Sequence, residues 1–409
     1  MIVTIERLGH HGDGIAAHPT GGPIFVAGTL PGETVEGTLD GDRLTNPKIV
    51  TPSTDRVKPP CRHARACGGC QLQHASDGFV ARWKQQIVET ALAAQGLTAS
   101  FLPLQTSPPN SRRRATLSAR RTKSGALIGF HARGSDTIVE VADCQLLHPA
   151  LIAAFPGLQA LVILGGSRTA ELSLQITTTG GGVDVVVTGG KPLDGALQLD
   201  LARTVDAHGF SRLTWNGEAV ALRDRPSQTI GSATVIPPPG AFLQATPQGE
   251  GALLAAVKTA LGPQKRVVDL FCGIGTFALP LAEVAEVHAV EGDRAMTDAL
   301  ETAVRHTQNL RRLTVEARDL FRRPLDAADL KPFTAAVIDP PRAGAEAQIS
   351  ALAQSKIPVI AAVSCNPVTF ARDAKTLLAG GYQLDWVQVI DQFRWSTHVE
   401  LAARFSRPA

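Results

Sequence analysis

RVVDLFCGIGTFALPLA, residues 266–282, leaves few folds open: an apolar strand runs into two closely spaced glycines, and a helical pattern begins immediately afterwards. A strand entering a helix through a glycine turn opens a parallel unit, because parallel strands need a crossover between them. The pattern then repeats. EVHAVEGD reads as a second strand ending in an acid, AMTDALETAVRHTQNL as a helix, LTVEARDL as a third strand, AAVIDPPRAG as a fourth and IPVIAAVSCNP as a fifth. The expected result is an open, largely parallel α/β sheet with ligands beyond the C-terminal ends of its strands.

At 409 residues and 44% apolar, the chain can hold two or three cores. MIVTIERL, PIFVAGTL and ETVEGTL, separated by turn residues, predict a small β-barrel over residues 1–55. An amphipathic helix is expected from Gly78 to Gln95, with Trp83, Ile87, Ala91 and Leu92 on its apolar face, followed by β-like runs LSLQITT, VDVVVTG and SRLTW. The expected architecture is therefore multidomain α/β: a barrel, a central α+β domain over 56–235, and a C-terminal Rossmann-like domain over 236–409. The first residues lack a signal-peptide pattern, and no apolar run reaches about 18 residues, so a cytoplasmic protein without a membrane partner is expected. A formal charge of +3 neither establishes nor excludes nucleic acid.

Within the glycine turn, Gly273 and Gly275 let the backbone approach a ligand. Glu291 ends the next strand 22 residues after Asp269, where a carboxylate can accept hydrogen bonds from ribose hydroxyls. The turn matches neither the GxGxxG dinucleotide pattern nor the GxxxxGK[ST] phosphate loop, so a ribose-bearing cofactor without phosphate, such as S-adenosylmethionine, fits better. Asp319 is a candidate for the adenine side, or else a helix cap or turn acid. Asp339 ends a strand that two prolines terminate. The following Arg342 either meets phosphate and orients the loop or forms a surface ion pair.

Cys365 falls at the end of the fifth strand, in VSCNPVTFARD. Its chemical option follows from uracil, whose C5 is a weak nucleophile until a thiolate adds at C6. A separate base must then take the C5 proton, and Glu400 in STHVELA is a candidate. Core packing for Cys365 and an ordinary surface charge for Glu400 are the plainer alternatives.

Cys61, Cys67 and Cys70 stand in C-x5-C-x2-C spacing, and Cys144 could supply a fourth thiolate. An iron–sulfur cluster, structural zinc and partly buried free thiols all fit this arrangement. SRRRATLSARRTKSG brings together Arg112, Arg113, Arg114, Arg120, Arg121 and Lys123, with no acid from residue 101 through 135. Such a stretch can hold phosphates or form a solvated basic surface.

Taken together and in order, DLFCGIGTF, VIDPPRAG, SCNPVTFARD and the terminal HVE closely resemble the S-adenosylmethionine-dependent RNA uracil-5 methyltransferases. The resemblance implies Cys365 as nucleophile and Glu400 as base, with cofactor contacts at Gln244, around Phe271 and Gly273, and at Glu291 and Asp339. It also places Phe242, in an FxQ element, beside the target base. IERLGHHGDGIAAH and the strands after it resemble a TRAM domain, an RNA-binding barrel. That module and the cysteine group are most similar to the 23S ribosomal RNA enzymes of the family, which implies a 4Fe–4S cluster on Cys61, Cys67, Cys70 and Cys144. RNA is the implied partner, with no obligate protein partner inferred. A transfer-RNA enzyme and a noncatalytic RNA-binding or ribosome-assembly protein are the competing readings. Two departures stand out: Thr246 replaces the usual Asn of FxQxN, and the approach to HVE reads QFRWSTHVE in place of a Phe-Pro form.

Overall fold

The computed structural model describes residues 1–407. The glycine turn belongs to an eight-stranded sheet ordered Leu313–Ala317, Glu286–Glu291, Arg266–Leu270, Ala335–Ile338, Val359–Ser364, Leu401–Ser406, Gln383–Asp391, Phe101–Thr106. The first five strands are parallel, as expected. Leu401–Ser406 then inserts antiparallel between Val359–Ser364 and Gln383–Asp391.

Alternate residues of the parallel strands point to opposite faces, so near-continuous apolar runs build two cores. Val267, Ala289, Val337 and Ala361 pack with Leu253, Val257 and Leu300 from helices Pro247–Leu261 and Arg294–His306. On the other face, Val268, Val290, Ala336 and Ile360 pack with Leu352 and Phe370 from helices Glu346–Gln354 and Pro367–Ala379.

The second core also takes in Val88 and Leu92, from the helix Asp77–Ala93. This is the helix expected over 78–95, and Ser76 caps it by accepting a hydrogen bond from the Phe79 amide at 3.1 Å. Phe101–Thr106 joins the far edge of the same sheet, parallel to Gln383–Asp391. The division at residue 235 is thus crossed: residues 77–106 pack with the C-terminal sheet rather than with the central one. A buried ion pair fixes the joint, with Lys84 Nζ 2.6 Å from Asp391 and both side chains sealed from solvent.

The central sheet has seven strands, ordered Ile138–Glu140, Ala126–His131, Arg114–Arg121, Leu172–Thr179, Gly182–Thr188, Phe210–Trp215, Glu218–Leu222. Helices Phe155–Gly165 and Gly195–His208 contribute to its core. The N-terminal six-stranded sheet curls around Val3, Ile5, Ile24, Val26 and Val35. No described helix is long and apolar enough to cross a membrane.

Candidate active site

Register brings the two ends of the proposed chemistry together. Ser364 pairs with Leu401 at the last rung between Val359–Ser364 and Leu401–Ser406, so the residues one step beyond are Cys365 and Glu400. The main chain holds Glu400 there, because its carbonyl accepts from the Ile390 amide at 2.8 Å. Cys365 is half-buried at the sheet edge, and the next residue, Asn366, caps helix Pro367–Ala379 by accepting from the Val368 amide at 3.0 Å.

Four side chains form a hydrogen-bonded chain beside them. Gln244 Nε2 donates to Asp339 Oδ2 at 3.4 Å, and Gln244 Oε1 accepts from Gln392 Nε2 at 2.6 Å. Gln392 Nε2 also donates to Glu400 Oε2 at 2.9 Å. The site withdraws its acids from water. Burial, then the nearby Asp339 charge, push the Glu400 carboxyl up to about 8, against the Gln392 hydrogen bond and Arg342. Burial also pushes Asp339 up to about 7. The Cys365 thiol rises to about 11 through burial, Glu400 and Asp339, with Arg342 the cation that opposes the rise. Arg342 is exposed and its Nη2 lies 2.7 Å from His398 Nδ1, while its carbonyl accepts from Asn366 Nδ2 at 2.9 Å. It thus ties the DPPR loop to Asn366, the residue after Cys365, and to the HVE loop.

The glycine turn meets the requirements of a nucleoside-bearing ligand. Phe271 has φ 62° and Gly273 φ 56°, two left-handed residues on either side of Cys272 that turn the chain sharply after the strand. A Cβ on Gly273 would face open space, leaving the backbone accessible. Glu291 accepts from the Gly273 amide at 3.1 Å and the Asp293 amide at 2.9 Å, one at each carboxylate oxygen, and keeps lone pairs for hydroxyls. Asp269 is fully buried behind the turn, and burial with the neighbouring Asp339 raises its carboxyl well above the usual range, against the Ala278 amide. Asp319 caps a turn, accepting from the Phe321 amide at 3.0 Å. Phe321 was invisible to motif reading; it is half-exposed, with its ring 5.3 Å from that of Phe271. Two such rings can hold a planar base.

The basic stretch divides. Arg113 is buried: it pairs with Glu250 and donates to the Gln244 carbonyl at 2.9 Å, so its guanidinium braces the FLQ segment from inside. Arg114 lies 4.3 Å over the ring of Phe242, which is 53% exposed beside Gln244. Arg112 is partly covered and lines a cavity with the N-terminal cysteines. Arg120 and Lys123 are exposed and Arg121 partly so, at the other end of the strand Arg114–Arg121.

Cys61, Cys67, Cys70 and Cys144 do line one cavity, of about 30 Å³. The iron–sulfur and metal-binding expectation is nevertheless overturned, because among the described residues no group of three or more His, Cys, Asp or Glu is arranged to hold a metal ion. The cavity is shared with Phe130, Val141 and Leu146, and burial pushes the Cys67, Cys70 and Cys144 thiols up, Cys70 to about 12. Cys67 and Cys144 sulfurs instead accept from the Gly69 and Leu146 amides, each at 3.4 Å. The segment braces the HVE loop: Trp395 packs against Cys70 and Leu146, and its carbonyl accepts from Gln71 and Leu72 amides at 2.8 and 2.9 Å. Arg394 donates to the Ser107 carbonyl at 3.2 Å. The unusual Arg394 and Trp395 therefore anchor that loop. Thr246 caps helix Pro247–Leu261, accepting from the Gly249 amide at 2.9 Å, and bonds Ser107 at 2.7 Å; its hydroxyl is used away from the cofactor turn.

A sheet of this order, with a glycine turn after its central strand and acids on the next two strand ends, defines a class I methyltransferase fold. The profile described as tRNA (Uracil-5-)-methyltransferase matches residues 240–407, and the TRAM domain profile matches residues 1–36. An uncharacterized RNA methyltransferase of Brucella suis is 43% identical over 98% of this chain and 96% of its own length. The 23S rRNA (uracil(1939)-C(5))-methyltransferase of Halomonas elongata is 33% identical over 99% of this chain and 89% of its own. The crystal structure of Pyrococcus abyssi tRNA (uracil-54, C5)-methyltransferase superposes with TM-score 0.77, at 22% identity over 99% of both chains. The chain belongs to the S-adenosylmethionine-dependent RNA uracil-5 methyltransferases. The resemblance thus holds at the level of the TRAM-bearing family, without the cluster that marked one subgroup.

Proposed function

We propose that this enzyme methylates C5 of a uridine in structured RNA through a covalent adduct at Cys365, with Glu400 as the base. The observation that carries the reading is the strand register that sets Cys365 against Glu400 beside Asp339 and Gln244. The Cys365 thiolate bonds to C6, which makes C5 electron-rich. S-adenosylmethionine, when bound, would supply an electrophilic methyl, whose bond to the sulfonium sulfur breaks as C5 takes it and leaves a neutral thioether. Glu400 then removes the C5 proton; that electron pair restores the C5–C6 double bond and the C6–S bond breaks, returning the thiolate. Gln244, Phe271, Gly273, Glu291, Asp319 and Asp339 line the cofactor side, with Glu291 toward ribose hydroxyls and Phe321 a further candidate for the adenine. The target base must leave its stack to reach Cys365, and Phe242 with Arg114 offers it a face at the entrance. Arg120, Arg121 and Lys123 are placed to meet phosphates farther along the RNA.

Both raised groups give the reaction a signed pH dependence. The proton must leave Cys365, held up to about 11, and Glu400, held up to about 8, so ionisation of both improves as pH rises. Adduct formation with 5-fluorouridine RNA is expected to climb about tenfold per pH unit between about pH 6 and 8. A flat profile over that range would remove thiol ionisation as the limiting event.

For the RNA itself, transfer RNA is the first substrate to test: the catalytic region matches a family described by that activity, and a transfer-RNA enzyme shares the architecture along the whole chain. The N-terminal module is therefore no argument for ribosomal RNA over transfer RNA. The ribosomal reading has its own support in the Halomonas elongata relative. Mapping 5-methyluridine in both RNAs, with and without the gene, decides between them; the expected result is one lost position in transfer RNA, and a loss confined to 23S RNA would reverse the order.

A further inference from the structure

Gln392 takes no bond-making part in the reaction above, yet it is 1% exposed and its amide makes three hydrogen bonds, both N–H donors included. Its Oε1 accepts from the Ala245 amide at 2.7 Å. Its two Nε2 hydrogens go to Gln244 Oε1 at 2.6 Å and Glu400 Oε2 at 2.9 Å. The main-chain donor fixes which way the amide faces, because a flipped amide would set its NH₂ against the Ala245 N–H and its oxygen against the Glu400 carboxylate. The seat is also shaped for it: a Cβ on Gly249 would stand 2.5 Å from the Gln392 Cβ.

We propose that Gln392 is a positioning residue for proton abstraction, aiming the Glu400 carboxylate and tying that aim to Gln244 at the cofactor edge. The proposal rests on Glu400 being the base. A hydrogen bond donated to an ionised carboxylate favours that form and holds its direction. The other charged or titratable groups facing Glu400 are Asp339, Arg342 and Cys365, and Gln392 is the neutral donor among them. Thiolate addition to C6 makes no use of this amide. Its loss therefore slows breakdown of the adduct and spares its formation.

The test uses the full chain as wild type, Gln392→Met, Gln392→Glu and Glu400→Gln. The substrate is total RNA from cells lacking the gene, in one sample labelled with tritium at uridine C5 and in another grown with 5-fluorouracil. Tritium release reads proton abstraction, and trapping of fluorinated RNA reads thiol addition and methyl transfer alone. Q392M is expected to lose about 10- to 100-fold in release, the range for a hydrogen bond to a charged group, with trapping unchanged. Its release profile also moves to higher pH. Q392E keeps an oxygen for the Ala245 amide but loses the donors when ionised, and shows the same split. Wild-type release by Q392M, or equal losses in release and trapping, would overturn the proposal. Normal release by E400Q would instead remove the base reading beneath it, whereas blocked E400Q beside normal Q392M rejects the Gln392 role alone.

Discussion

Cys365→Ala is expected to abolish methyl transfer to RNA, by about 10⁴-fold or more, and to eliminate the covalent adduct with 5-fluorouridine RNA. The size of the loss follows from the chemistry: without a bond to C6, C5 has no route to the electron density that attacks a methyl group. The side chain is small and only half-buried, so alanine leaves little cavity and the fold should survive. Thermal unfolding like the wild type's, together with no trapping on denaturing gels, is the expected pair of results. An undiminished adduct in the alanine variant would mean that another thiol attacks. Cys272 is a poor substitute, since it is packed into the core behind the turn.

For Glu400→Gln the expected phenotype is the opposite kind of failure. The thiol still adds and the methyl still transfers, but the C5 proton stays, and protein accumulates bound to ordinary uridine RNA. Multiple turnover should fall about 10²- to 10⁴-fold, the usual scale for a general base. Normal turnover without accumulation would pass the role to another group, with Asp339 the nearest carboxylate in the same hydrogen-bonded chain. These two variants also separate an enzyme from a noncatalytic RNA-binding protein on the same scaffold, because only an enzyme gives them different phenotypes.

The parallel half of the catalytic sheet was legible because buried parallel strands leave long apolar runs punctuated by glycine and proline, as in RVVDLFCGIG and AAVIDPP. Cys365 and Asp339 could be placed for the same reason: both lie just past such runs. The approach of Glu400 was not legible, since it depends on Leu401–Ser406 inserting between two other strands, a pairing that leaves no local pattern. Gln392 was hidden by its position at the end of the strand Gln383–Asp391, where nothing in QVIDQF distinguishes a surface amide from one held inside. Arg113 misled in the other direction. Three consecutive arginines read as one basic patch, but the middle one turns inward to Glu250. The cysteines fell short through three-dimensional arrangement: spacing brought four thiols to one small cavity without the geometry of a metal site.

The edge strand Phe101–Thr106 and the Lys84–Asp391 pair bear on how such an enzyme can be reshuffled. A recombination that kept everything after residue 235 and exchanged everything before it would remove the outermost strand of the catalytic sheet. It would also leave Asp391 sealed in the core without its cation, a defect that typically costs about 3–5 kcal/mol. RNA-recognising and catalytic parts of this protein are therefore not interchangeable cassettes. A graft that changes RNA choice has to carry residues 77–106 along with the catalytic half, and has to keep Arg113 against Glu250 and the Gln71–Leu72 amides against Trp395.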